Sequence, residues 1–482
     1  MDIRKKMAKG IFWLFLEKGL QQISSFIVFA IIARLIGPEE YGLVGLCGIF
    51  LSLAINIING LVDAVISMHI KDNKRLSTLF WIVVCCGASL SLFTYFSADV
   101  FAQIMEHEKL APLLRSYAPL PILLALASIP TALITESMNF RVFTIRTLAA
   151  TLIAGIVGIY MAFNDYGAYA LVVQQIVLYS VINLVVWPSC DWRPGLVFNK
   201  QGMREVLKLG LAQSGSSLVT FAEGQMPKFI LGLFLGPTVV GYYTFAQRIS
   251  YAIQDGIAHP LISVLYPAVS QIRNNYDEQK RVFVQFIVGL GNCLLPTIFG
   301  AIVTAPLYVP LFFGEKWASA VPALQLFILI VFPACMHLAL RDYMRGHKKI
   351  TSFIKYQLVY ILSMLAACFL SVPFGYEAFV LVYAILAFIA TIGYSYLVQK
   401  ETNISLWGGY LRLWAPLAAS LAMFGALNFF ISQSPEMTGR VLLLMESFIL
   451  GVVVYGILSI ILQFNNVKTV IRIFTRLRQQ SD

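Results

Sequence analysis

Charge is scarce in this chain. Of 482 residues, 12% are Asp, Glu, Lys or Arg and 59% are apolar. A soluble domain carries about 25% charged and about 45–50% apolar residues, so a water-soluble enzyme with an ordinary core is excluded. Cysteine is sparse as well. Cys47, Cys85, Cys86, Cys190, Cys293, Cys335 and Cys368 are scattered, mostly within apolar runs, with no C-x-x-C pair. They read as small hydrophobes and not as a disulfide framework or a zinc site. Walker A, D-x-D and H-E-x-x-H motifs are all missing, which removes the common signatures of nucleotide and metal chemistry. No metal site is expected.

Apolar length is what the chain has in excess. Its mean hydropathy is +0.78, and about 20 apolar residues make one membrane-crossing helix, so the composition allows roughly 14 crossings. Fourteen runs are found, at about 10–36, 41–66, 77–97, 113–135, 145–163, 167–187, 205–235, 239–268, 282–304, 318–340, 351–371, 376–398, 408–431 and 439–463. Open strands cannot satisfy their backbone groups in lipid. The expected fold is therefore all-α and polytopic.

The net charge of +11 would suggest nucleic acid in a soluble protein. Its distribution points elsewhere. With a cytoplasmic N-terminus, 27 of the 35 Lys and Arg residues fall in inside segments and four, Lys109, Arg115, Lys316 and Arg440, in outside loops. Such a split predicts an even number of crossings with both termini in the cytoplasm, and no nucleic-acid partner. The start is basic (Arg4, Lys5, Lys6), but the first apolar stretch holds Glu17, Lys18, Gln21 and Gln22 and no A-x-A site, so it reads as a first crossing and not a cleaved signal. Lys468 to Arg478, interleaved with Val470, Ile471, Ile473, Phe474 and Leu477, reads as an amphipathic helix on anionic membrane lipids. Trp187, Trp192, Trp317 and Trp407 sit near run ends and are expected to be interfacial anchors, with 312–317 forming a short interfacial helix.

A repeat is visible. Gly37-Pro38-Glu39-Glu40-Tyr41-Gly42 joins the first two runs, and Gly236-Pro237-Thr238-Val239-Val240-Gly241 joins the seventh and eighth, at an offset of 199 residues. Proline fixes φ and glycine permits close backbone, so G-P-x-x-x-G makes a tight helix–helix turn. The expected organisation is a six-helix lobe over 1–200, a second over 201–400, and two further helices with the basic tail over 401–482. Lobes entering the membrane in the same direction form a parallel repeat enclosing a cleft, an architecture of transporters.

Several segments carry a family resemblance. They are Glu17-Lys18 in the first run, Ala33-Arg34-Leu35-Ile36-Gly37-Pro38-Glu39-Glu40-Tyr41-Gly42, Leu235-Gly236-Pro237 with Gly241-Tyr242-Tyr243, Leu265-Tyr266-Pro267-Ala268, and Phe313-Gly314-Glu315-Lys316-Trp317 with Pro322-Ala323-Leu324-Gln325. Over roughly residues 1–400 the chain resembles the polysaccharide-exporting branch of the multidrug/oligosaccharidyl-lipid/polysaccharide exporter superfamily, nearest its colanic-acid type. The resemblance implies a MATE-like, pseudo-twofold fold in the bacterial inner membrane and a flippase for undecaprenyl-pyrophosphate-linked oligosaccharides used in surface polysaccharide biosynthesis. It also implies polysaccharide polymerase and export machinery as further partners, and a monomer.

Charges inside membrane spans are costly and mark function by default. Glu17, Gln21 and Ser24/Ser25 form one stripe on the first helix; Gln213, Ser216/Ser217, Thr220, Glu223 and Lys228 form a matching one on the seventh, where Pro227 predicts a kink. Arg248, Asp255 and His259 share a face of the eighth run, and Asn56, Asn59 and Asp63 one of the second. Each stripe reads either as the wall of a wet cleft or as inter-helix glue. A pyrophosphate carrier needs cations, which makes Lys18, Arg34, Lys228 and Arg248, with Gln21, Gln213 and Thr220, the candidate substrate ligands. Glu17, Asp63, Glu223, Asp255 and His259 are the candidates for gating or for H⁺ or Na⁺ coupling; no other cofactor is expected. The alternatives are a MATE-type drug/cation antiporter, a lipid II flippase, and a membrane-embedded polysaccharide enzyme. For the last, the outside loops, about 15 residues at most, leave little room for an external catalytic domain.

Overall fold

The structure is a computed structural model describing residues 19, 21–68, 72–136, 140–197, 199, 203–263, 265–272, 275–347, 349–434 and 439–462. Glu17, Lys18 and the tail from Lys468 to Arg478 lie outside the described residues. Helix dominates, and no strand occurs among the described residues. The chain is a multi-pass membrane protein.

Twelve helices among the described residues are long and apolar enough to cross a membrane, from Pro38–Asp63 to Arg440–Leu462. The fourteen expected crossings differ from this count at two places. Arg204–Ser263 is continuous over 60 residues, but Gly236 within it has φ 82° and ψ 175°, which breaks the helix at the second Gly-Pro turn. Gln21–Leu35 is a shorter apolar helix, and the residues before it, Gly19 apart, are outside the described set.

Local chemistry sets the helix ends. Pro38 opens Pro38–Ser67, a first-turn position where its missing N–H costs nothing. The Asp72 carboxylate accepts the Lys74 N–H at 3.2 Å, and the Asn275 side chain accepts the Glu278 N–H at 3.2 Å while donating to the Glu278 carboxylate at 3.0 Å. These caps satisfy N–H groups that a helix leaves open. Gly314 (φ 93°) ends the long helix Tyr276–Phe313.

The described residues form two compact units, Met1–Phe245 with Ile361–Tyr376, and Ala246–Tyr360 with Glu377–Asp482. In the first, Ala54, Ile58, Leu76, Phe80, Ala125 and Ile129 are the centre of an apolar core. In the second, the stretch Glu315–Gly346 is 67% buried over its most apolar window and Arg440–Leu462 is 17% buried. The latter exposes Phe448 and Ile461, as a lipid-facing helix must.

Contacts also join segment ends that alternating crossings place on one side. Glu39 Oε1 lies 3.4 Å from both His107 Nε2 and Lys109 Nζ. Arg440 Nη1 donates to Glu315 Oε1 at 2.5 Å, and Lys349 Nζ lies 3.4 Å from Glu401 Oε2.

Two local expectations are corrected. Trp317 is fully buried and is not an interfacial anchor. Residues 312–317 are not one short helix: Phe312 and Phe313 end Tyr276–Phe313, and a 3₁₀ turn follows over Glu315–Ala320. The left-handed Gly314 turns the chain back, which carries the indole inward.

Candidate functional site

The two Gly-Pro turns meet. A Cβ placed on Gly42 would overlap the Pro237 carbonyl and the Gly241 nitrogen, and one placed on Gly241 would overlap the Pro38 carbonyl. The contact is reciprocal, backbone against backbone, and admits only glycine at either position. One turn further on, Gly45 rests on the Thr244 side chain, and the Phe29 ring lies 5.8 Å from Phe245. The hairpins that open the two repeats are thereby locked together inside the first unit.

The turns are stabilised by different means. In the first, the Gly37 N–H donates to Glu40 Oε2 at 3.2 Å, a carboxylate cap at a helix start. In the second, no carboxylate is available, and Gly236 takes a positive φ of 82° that disfavours any side chain.

Of the candidate ligands, Lys228 stands apart. It is 8% exposed, on the turn after Pro227. Next to it Phe229 meets the Phe101 ring at 6.3 Å, and Gly232 one turn on abuts Leu46 and Met105. Lys228 makes no hydrogen bond or ion pair with a described residue, Glu223 included. Enclosing a lysine this far without a counter-ion is costly. Five residues separate Glu223 from Lys228, which puts them on different helix faces. Gln213 is half-buried, and its Oε1 is buried with no partner among the described residues. Gln21 is half-buried and Thr220 exposed.

Arg34 and Arg248 are exposed. Asp255 Oδ1 lies 3.7 Å from His259 Nε2, both side chains being more than half exposed; Arg248 is not part of that pair. The reason is local. A π-helical turn occupies Gln254–Ala258, and its extra residue per turn rotates everything after it, so the face that a regular helix would give Arg248, Asp255 and His259 is broken. Asp63 is exposed at the end of its span. Asn56 Nδ2 donates to the Ser52 carbonyl at 2.8 Å and is satisfied within its own helix.

Residues 31–322 match the family described as polysaccharide biosynthesis protein. The chain belongs to this family. Among relatives of this polysaccharide biosynthesis protein, it is 21% identical over 463 residues to the succinoglycan biosynthesis transport protein ExoT of Rhizobium meliloti (strain 1021), covering 95% of this chain and 93% of the relative. It is 23% identical to the lipopolysaccharide biosynthesis protein WzxC of Escherichia coli (strain K12), over 68% of each. The fold is that of lipid II flippase MurJ in its inward closed conformation, with a TM-score of 0.78 at 14% identity over 95% of this chain and all of that one. An inward-facing multidrug resistance MATE family transporter follows with a TM-score of 0.60 at 15% identity, covering 82% and 95%. The MATE-like fold expected from the sequence is the one observed.

The family match takes in both hairpins, Lys228 and the Asp255–His259 pair, and ends before a polar site that the sequence reading passed over. His337 Nε2 lies 2.9 Å from Thr391 Oγ1, between the rings of Tyr394 (4.8 Å) and Tyr360 (5.6 Å). The Thr391 hydroxyl also lies within hydrogen-bond reach of the Ala387 carbonyl, at 2.9 Å, and the His337 tautomer sets which of the two it serves. A histidine inside a span was signal enough to single it out. Gln225 was also missed; its Oε1 is buried without a partner among the described residues. No cluster of three or more potential metal ligands occurs among the described residues.

Proposed function

We propose that this polysaccharide biosynthesis protein is a flippase that carries undecaprenyl-pyrophosphate-linked oligosaccharide units across the bacterial cytoplasmic membrane by alternating access, without catalysing a covalent step. Both termini lie in the cytoplasm in this reading. The observation that carries it is Lys228, a largely buried lysine lacking a described partner on the helix that opens the second repeat. An anionic headgroup supplies the missing charge, with Lys18, Arg34 and Arg248 as further cations and Gln21, Gln213 and Thr220 as hydrogen-bonding groups. The polyprenyl tail stays in lipid, and the sugars cross in water without losing their hydrogen bonds. Coupling to H⁺ or Na⁺ falls to Glu17, Asp63, Glu223 and the Asp255–His259 pair. The protein acts as a monomer, delivering to polymerase and export machinery.

The test is made in cells lacking the gene, where lipid-linked oligosaccharide accumulates on the cytoplasmic side. Wild type clears it. Lys228→Ala is expected to clear it at least about tenfold more slowly, and Lys228→Arg to retain most activity, because charge is the requirement. An absence of lipid-linked sugar in the deletion strain would overturn the function, and full clearance by Lys228→Ala would overturn the role of Lys228. Glu223→Gln and Asp255→Asn are expected to abolish dependence on a pH gradient; dependence unchanged in both removes proton coupling through these groups.

A further inference from the structure

A second polar feature of the first unit has no part in that reading. Residues 193–197 and Asn199, which lead toward the second hairpin, are laced onto the first turns of the helix Asn73–Phe96. Ser77 Oγ accepts the Gly195 N–H at 3.0 Å, Thr78 Oγ1 accepts the Asn199 N–H at 2.9 Å, and the Trp81 indole donates to the Gly195 carbonyl at 3.1 Å. Between this strap and the helix lies an open cavity of about 490 Å³, lined among others by Asn73, Lys74, Asp191, Trp192 and Arg193.

Its charges are unspent. Lys74, Asp191 and Arg193 all line the cavity, yet no ion pair joins the carboxylate to either cation. Arg193 is held by its backbone bonds, Nη1 donating to the Cys190 and Trp192 carbonyls, and by the Trp187 ring 5.7 Å beneath its guanidinium carbon. Its Nη2 has no partner among the described residues. The Trp192 indole nitrogen is buried and also lacks one. A ligand that fits therefore carries both a phosphate-like anion, for Lys74 and Arg193, and a cationic donor, for Asp191. The location says where it comes from. The cavity sits where membrane-crossing helices end, beside two tryptophans, and Leu196 on the strap is 91% exposed. A bare leucine at such a level belongs in the headgroup boundary of a bilayer.

We infer that this cavity binds the headgroup of an aminophospholipid, its phosphodiester on Lys74 and Arg193 and its primary ammonium on Asp191. Occupancy ties the strap between the repeats to the surrounding lipid. A quaternary choline headgroup has the charge but no N–H to give, so the site discriminates against it.

The test uses the full-length protein in detergent, with retention of added phospholipids of identical acyl chains measured by native mass spectrometry. Ethanolamine lipid is expected to be retained about tenfold better than choline or glycerol lipid. Asp191→Asn should erase the preference for ethanolamine over choline, and Lys74→Gln should weaken all three. Both positions are exposed, so neither variant threatens the fold. Equal retention of the three lipids by wild type, or an unchanged pattern in both variants, overturns the inference. Displacement of the lipid by inorganic phosphate alone also overturns it, because the site would then be a plain anion site.

Discussion

The hairpins that open the two repeats share a turn motif and differ in what they bury. The 199-residue offset pairs Lys228 with Phe29. Phe29 is satisfied by an aromatic cluster, with Phe26 at 6.1 Å, Tyr41 at 5.8 Å and Phe245 at 5.8 Å. Lys228 is buried to the same degree and has nothing described to neutralise it. The first hairpin thus encloses an aromatic ring at the position where the second encloses a lysine. The turns follow the same division: the first is capped by a side chain, Glu40, and the second by the backbone freedom of Gly236.

Breaking what the hairpins share has the largest expected effect. Gly241→Leu or Gly42→Leu forces a side chain into backbone that cannot yield, beyond the about 1–3 kcal/mol of ordinary overpacking. Either variant is expected to lose the monodisperse folded protein, seen as aggregation on size exclusion in detergent. Exchanging the buried residues comes next. Phe29→Lys should lower the unfolding midpoint sharply, because a second uncompensated ammonium is buried, at about 3–5 kcal/mol. Lys228→Phe should leave the midpoint unchanged or raise it while transport is lost, and a stable, fully active Lys228→Phe would erase the contrast. Smaller again is the difference between the turns. Gly236→Ala is expected to cost about 1–3 kcal/mol from its positive φ, whereas Gly37→Ala, with open space around it, should cost well under that. The smallest effect belongs to Glu40→Gln, about 0.5–1 kcal/mol for the weakened cap, read from the same thermal melts.

The helical fold and the turns were legible because each rests on local rules: apolar runs must be helices in lipid, and Gly-Pro marks where they turn. The faces were not. A helix that is apolar toward both lipid and protein has no hydrophobic stripe, so nothing in sequence distinguishes buried Lys228 from exposed Arg34 and Arg248. The π turn at Gln254–Ala258 has no composition of its own, and it undid a face drawn with regular helical spacing. His337 depends on Thr391, 54 residues away, a partnership only tertiary structure reveals. Trp317 was misplaced because a tryptophan beside a helix end looks the same whether it faces headgroups or, as here, protein.

The reciprocity of the turn contact has a consequence for how such a chain can arise. Pro38 meets Gly241 while Pro237 meets Gly42, which is the pattern of an isologous interface, in which one patch serves both partners of a symmetric dimer. A half-length ancestor with a single G-P-x-x-x-G turn would use the same contact between two copies. Fusion then frees each copy to change separately, and a lysine acquired in one hairpin no longer obliges a second, buried opposite its twin.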